Sequence, residues 1–178
     1  MKTLKRLFIV ALLIAIILAV VSQFLPASYH VERSVVIKAK PEAIYPLIAN
    51  LKRWQEWSVW TTEKFPQMKY TYEGPAEGVG AISKWDDPKQ GDGTMKITQA
   101  DPAKGVSFDL SFHKGQFQSQ GSLLFSTTDG DTRVTWAHDG TLGRNPMHRF
   151  FGLMMERMMA PDFETGLANL KKKSEAGK

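Results

Sequence analysis

Hydrophobic and polar positions follow three successive patterns along this chain. In residues 1–26, Lys2, Lys5 and Arg6 precede an uninterrupted apolar run from Leu7 to Val21, which Phe24 and Leu25 extend past Ser22 and Gln23. At about 1.5 Å rise per residue, Leu7 to Leu25 makes a helix of about 28 Å, close to the roughly 30 Å hydrocarbon core of a bilayer. The pattern predicts a transmembrane signal anchor over 1–26. With cations before the run and no acid in this segment, the N-terminus is expected to stay cytoplasmic and the remainder to be extracytoplasmic, periplasmic or extracellular. The competing reading is a cleaved signal peptide and a secreted product, with Val20-Val21-Ser22 as a weak cleavage site. The length of the apolar run and the lack of an Ala-x-Ala argue for retention.

The second pattern is period two. Tyr29 to Lys38 alternates, with Val31, Arg33, Val35 and Ile37 in one register, and its β-branched content predicts a first strand. It starts only three residues, Pro26 to Ser28, after the anchor, too few for a flexible tether. Pro41 then opens a helix over Glu42 to Ala49, and Leu51 to Trp57 reads as a second short helix. From Gln67 the alternation returns in six runs: Met68–Tyr72, Ala81–Trp85, Met95–Ile97, Val106–Phe112, Leu123–Phe125 and Val134–Trp136. Gly- and Asp-rich turn sequences separate the runs, as expected for an antiparallel meander.

The third pattern is helical. Asn145 can cap a helix that begins at Pro146, and Met147, Phe150, Phe151, Met154 and Met158 recur at helical spacing. Pro161 is expected to kink this helix near Arg157, after which Phe163, Leu167 and Leu170 continue the apolar stripe. The order of elements predicts an α+β domain over 27–178 in which the last helix covers one face of the sheet.

Composition narrows the partners. Removing the anchor leaves 152 residues, the size of one compact domain. The formal charge of +5 falls to +2 once the three N-terminal cations are set aside, leaving 20 Lys and Arg against 18 Asp and Glu. The one later cluster, Lys171 to Lys173, reads as a solvated, frayed helix end. Nucleic-acid binding, which needs a concentrated basic face, is therefore not expected. With no Cys in the chain, neither a disulfide nor a lipoprotein acylation site is available.

Several segments carry a resemblance. Ser34 to Ile48 with Trp54-Gln-Glu-Trp57-Ser-Val-Trp60, followed by Gly74 to Ala81, Trp85, Thr132 to Trp136 and Pro161 to Leu170, resembles the polyketide cyclase/dehydrase branch of the START-like (SRPBCC) superfamily. The resemblance covers about residues 29–173. It implies a helix-grip fold: a curved seven-stranded antiparallel sheet wrapped around the long C-terminal helix, with a cavity between them. Candidate ligand-binding residues for such a cavity are Trp54, Trp57, Trp85, Phe108, Leu110, Phe112, Trp136, Met154 and Met158, with Met147, Met155 and Met159 on the same Met-rich helix. Trp54, Trp57 and Trp60 are expected near the cavity mouth, as packing, as a gate, or as a belt at the membrane interface.

The chemistry on offer is sparse. His30, His113, His138 and His148 are scattered without metal-ligand spacing, and neither Gly78-x-Gly80 nor Gly91-x-Gly93 precedes a helix, so no metal and no cofactor is expected. His138 and Ser83 share registers with Trp136 and Trp85 and would point inward. An inward His138 could act as general base for cyclisation or dehydration; the plainer alternative is a solvated or hydrogen-bonded edge residue near the strand end beside Asp139. Three functions follow: a membrane-tethered module that binds a lipid or other hydrophobic small molecule, a cyclase/dehydrase-like enzyme using His138, or an envelope-stress or structural adaptor with no ligand.

Overall fold

The computed structural model describes residues 2–176; Met1, which opens the expected anchor, and Gly177 and Lys178, which close the expected domain, lie outside them. The apolar run forms α1 (Lys2–Ser22), and Thr3–Ser22 is long and apolar enough to cross a membrane. Every side chain from Thr3 to Val21 is exposed, so the helix buries nothing against the domain until Ser22.

The remaining elements are β1 (Ser28–Ile37), α2 (Pro41–Ala49), a 3-10 helix (Leu51–Glu56), β2 (Lys69–Glu73), β3 (Ile82–Asp87), β4 (Gly91–Asp101), β5 (Gly105–Phe112), β6 (Phe117–Thr128), β7 (Asp131–Thr141) and α3 (Pro146–Glu175). The strands make one curved antiparallel sheet in the order β1-β7-β6-β5-β4-β3-β2. Consecutive strands pair through short turns, and β1 closes the far edge against β7, from Ser28 opposite Thr141 to Ile37 opposite Thr132. A register shift between Ile97 and Gln99 places a bulge in β4, and bulges bend the strand that carries them.

This pairing sorts the strand ends. Ser28, Thr141, the Phe112–Phe117 hairpin and the Asp87–Gly91 turn share one end of the sheet, the end at which α1 stops. A bond from the Leu142 amide to the Ala27 carbonyl, 2.8 Å, fixes that junction. At the opposite end lie α2 and the Thr128–Asp131 and Asp101–Gly105 turns.

The last helix crosses from one end to the other. Asn145 caps it through its side-chain oxygen, which accepts from the Met147 amide at 2.9 Å. It runs unbroken through Pro161. Arg33 of β1 bridges Glu156 and Glu164 at 2.7 Å each, and farther along Lys171 donates to the Val36 carbonyl at 2.7 Å. The Lys171–Lys173 segment is thus not frayed: Lys171 is tied to β1, and Lys173 meets Glu56 at 3.1 Å. The buried residues of α3 all lie from Ala160 onward, with Phe163, Leu167 and Leu170 the large apolar ones. These pack with Ile44 and Ile48 of α2 and with Val31, Ile37, Ile97, Val106, Leu123 and Val134 of the sheet.

The segment expected as a second short helix is a 3-10 helix, Leu51–Glu56. Asn50 starts it by accepting from the Lys52 amide at 3.0 Å. Its tighter winding places Trp54 and Trp57 on one side. Their indole N–H groups donate to the Ile48 and Leu47 carbonyls at 2.9 and 3.0 Å, satisfying acceptors that the end of α2 leaves open.

Candidate functional site

The first half of α3 stands off the sheet, and the space beneath it is a cavity of about 540 Å³. Period-two alternation supplies the walls. Trp85 and Ser83 come from β3, Met95 from β4, Phe108, Leu110 and Phe112 from β5, Ser119 from β6, Trp136 and His138 from β7, and Met155, Met159 and Phe163 from α3. Gly121 of β6 makes room for one wall: a Cβ there would lie 2.3 Å from the Phe108 ring. Trp54 closes the deep side, its ring edge-on to Phe108 and Trp136 with centroids 5.4 and 5.8 Å apart.

Of the candidate ligand-binding residues, Trp54, Trp85, Phe108, Leu110, Phe112 and Trp136 line this space. Three others do not. Trp57 lies behind Trp54, 1% exposed in the core, because the 3-10 winding packs it against the Leu47 carbonyl and Trp136. Met154 and Met158 point outward and are half exposed; their neighbours Met155 and Met159 face inward, one residue farther round the helix. Trp54 and Trp57 are buried on the closed side and form neither a gate nor an interfacial belt there, while Trp60, half-buried, lines the cavity. The open side is ringed instead by Gln90, His113, Phe117, His148 and Phe151, all at the α1 end of the sheet.

Polar groups gather at one place on the wall. His138 is 5% exposed, hydrogen-bonded rather than solvated, with its Nε2 2.7 Å from Ser119 Oγ. Its Nδ1 is buried without a partner. A bare nitrogen lone pair tolerates that better than an orphaned N–H, so the proton sits on Nε2 and donates to Ser119. The Ser119 hydroxyl hydrogen is then free for Tyr29 or a guest. Tyr29 meets the His138 ring edge-on at 5.7 Å, and Gly140 gives it space, since a Cβ there would lie 2.4 Å from the phenol oxygen. Tyr29 and Ser119 escaped the sequence reading. The register of Val31 extends back to Tyr29, whereas the Ser119 segment, Gln-Ser-Gln-Gly-Ser, shows no apolar alternation that would mark it as strand.

Burial keeps these groups uncharged. It lowers the His138 pKa from 6.5 to about 4, only partly opposed by Asp139. It raises that of Tyr29, against the Ser119 hydrogen bond, which lowers it, and Tyr70 is pushed up to about 12 for the same reason while its hydroxyl donates to the Trp60 carbonyl at 2.9 Å. Among the described residues, no Asp, Glu, Lys or Arg lines the cavity. The surface therefore offers a guest hydrogen bonds but no carboxylate, ammonium or guanidinium to pair with a charge on it.

A curved antiparallel sheet gripping a C-terminal helix over an internal cavity defines a helix-grip domain of the START-like class. The chain belongs to the family described as "Polyketide cyclase / dehydrase and lipid transport", which matches residues 28–175. Solved structures agree on the fold. The Staphylococcus aureus protein SA2116 superposes with a TM-score of 0.63 at 12% identity, covering 84% of this chain and 95% of its own. The di-domain ARO/CYC protein StfQ from the steffimycin biosynthetic pathway gives 0.63 at 13% identity over 85% of this chain, and DynU16 from the dynemicin biosynthetic locus gives 0.57 at 17% over 84%. This chain spans 53% of StfQ and 48% of DynU16. No curated protein matches it.

Proposed function

We propose that this chain is a membrane-anchored binding protein that holds an uncharged, mostly apolar small molecule, a neutral lipid, between its sheet and α3. The observation that carries this reading is the composition of the wall: aromatic and Met side chains surround about 540 Å³, within the range of ligand sites, and no charged residue is among them. A carboxylate or phosphate buried there would lose its hydration without a partner, at a cost of several kcal/mol. A hydroxyl or carbonyl would find the Ser119 and Tyr29 hydroxyls. α1 supports the tether, with the N-terminus on the cytoplasmic side and the domain on the other.

Catalysis of the cyclase/dehydrase kind is the second reading, in keeping with the family's description, and Tyr29, Ser119 and His138 are the cavity groups that would carry it. An effective general base titrates near working pH, whereas His138 titrates near 4 and its free nitrogen is walled off from the cavity.

The test is photo-crosslinking in vesicles containing the full chain, with a diazirine-bearing diacylglycerol and a diazirine-bearing fatty acid compared by peptide mass spectrometry. The neutral probe is expected to label the peptides holding Trp85, Phe108 and Met155, and the fatty acid to label them far less. Crosslinks confined to α1, or equal labelling by the fatty acid, would overturn the reading.

A further inference from the structure

The mouth of the cavity is built from the wrong residues for a surface that faces water. Phe117 at the start of β6 is 41% exposed and Phe151 is 50% exposed, and both line the cavity at the end of the sheet where α1 stops; Met147, 74% exposed, lies in the first turn of α3, next in sequence to the lining residue His148. The rings of Phe117 and His148, both lining residues at this end, pack edge-on with centroids 5.1 Å apart. Phe24, 85% exposed, adds a fourth apolar side chain from the junction itself.

The junction also fixes the direction in which this rim points. Five residues, 23–27, separate α1 from β1. The amides of Gln23, Phe24 and Leu25 continue helical bonding to the Val20, Val21 and Ser22 carbonyls at 3.0 to 3.2 Å, so the chain does not swing free. Arg149, in the first turn of α3, locks the arrangement: its Nη1 lies 3.0, 3.2 and 3.4 Å from the carbonyl oxygens of Ser22, Gln23 and Leu25, and its Nε donates to Gly143 at 2.9 Å. A guanidinium at the C-terminus of α1 satisfies carbonyls the helix leaves open and complements its dipole. Through one side chain, the end of the apolar helix is held against the helix that forms the mouth.

We infer that the rim of Phe117, Met147 and Phe151 is a membrane-docking surface, seated in the headgroup layer of the leaflet in which α1 ends, so that the cavity opens directly into the bilayer. The occupant is a lipid surface. Apolar rings at the level where a transmembrane helix emerges are placed where amphipathic and aromatic groups partition. Lys89, Lys114 and Arg144, all exposed on the three loops around the rim, suit anionic headgroups. A neutral lipid could then pass between membrane and cavity without crossing water. The inference rests on α1 being a membrane span.

The chain has no native cysteine, so single-site labelling is clean. Full-length Met147→Cys, Phe117→Cys and, at the far end of the domain, Lys104→Cys would each carry the environment-sensitive dye NBD in vesicles of phosphatidylcholine and phosphatidylglycerol. Dye at 147 and 117 is expected to brighten severalfold, shift to the blue and be quenched by lipids carrying a shallow doxyl group; dye at 104 stays water-like and unquenched. Unquenched dye at 147 and 117, in protein that resists alkaline carbonate extraction, would overturn the docking surface alone. Release of the chain by carbonate would overturn the membrane span beneath it.

Discussion

The phenyl ring of Phe163 lies flat against the indole of Trp136, with centroids 4.3 Å apart and planes within 4°. This contact joins α3 to β7 at the boundary between packed core and open cavity, and both residues are 3% exposed or less. Below it, Leu167 and Leu170 fill the space between helix and sheet; above it, Met155 and Met159 do not. Phe163→Ala removes the stacked ring where the structure cannot collapse, and burial of an aromatic ring at such a site is worth about 3–5 kcal/mol. Denaturant unfolding of the full chain in detergent should show a loss of that size. A loss under about 1 kcal/mol would mean that the helix is held mainly by its polar contacts to β1.

Stability should fall with acid in a window set by His138. Unfolded, the ring binds a proton near 6.5; folded, burial delays this to about 4, so the unfolded state takes up more protons between those values. Full stability is present above pH 6.5, and about 3 kcal/mol is lost as pH falls to 4. Glu56, held down to about 2 first by its Arg53 hydrogen bond and next by Lys173, loses its contribution only below 4.5, and exposed His30, raised by Asp139, acts in the opposite sense at higher pH. Unfolding free energies measured from pH 7.5 to 4 should therefore slope in the wild type and flatten in His138→Gln. Equal slopes in the two would remove His138 as the cause.

The inward face of α3 can be separated from its outward face by charge. Met155→Glu places a carboxylate in a cavity with no cation to meet it, and neutral-lipid labelling should fall at least about tenfold, equivalent to about 1.4 kcal/mol. Met158→Glu, on a half-exposed outward position, should leave labelling within about twofold. If both variants bind equally, the cavity does not hold the probe.

Those two methionines also mark where sequence pattern stops being informative. Strands announce themselves by alternation, and Phe108, Leu110, Phe112, Val134 and Trp136 are legible from it because the faces they share on β5 and β7 are largely apolar, whereas buried Asp87 and Thr132 at strand ends carry no such signal. The first half of α3 has no such contrast. Met147, Phe150, Phe151, Leu153, Met154, Met155, Met158 and Met159 occupy most of its circumference, so periodicity allows several faces to be the inner one. That excess itself has a physical reading: one stripe lines the cavity, and another is left bare beside the mouth. The tryptophans failed differently. Spacing of three looked like a helical stripe, but in a 3-10 turn it stacks Trp57 behind Trp54, and hydrogen bonds to α2 turn both indoles away from the surface.

Arg149 offers the sharpest test of how the domain is carried. Its guanidinium gathers carbonyls from Ser22, Gln23 and Leu25 on one side and from Gly143 on the other, so it links the end of α1 to the start of α3. Arg149→Ala leaves those carbonyls to water, which can reach all but the buried Ser22, and the lost charge-assisted bonds are worth about 1.5–3 kcal/mol in total stability of the junction. The core of the domain lies elsewhere, so its unfolding should hardly change. The 23–27 segment, by contrast, loses its clamp and should open to protease: at fixed enzyme, cleavage between Gln23 and Ser28 should rise about tenfold or more relative to wild type, because local opening costs that much less. Arg149→Lys, which restores one charge but not the fork of donors, should fall between the two. If cleavage in Arg149→Ala matches wild type, the short linker alone fixes the domain on its anchor, through the Leu142–Ala27 bond and the helical amides of Gln23 to Leu25.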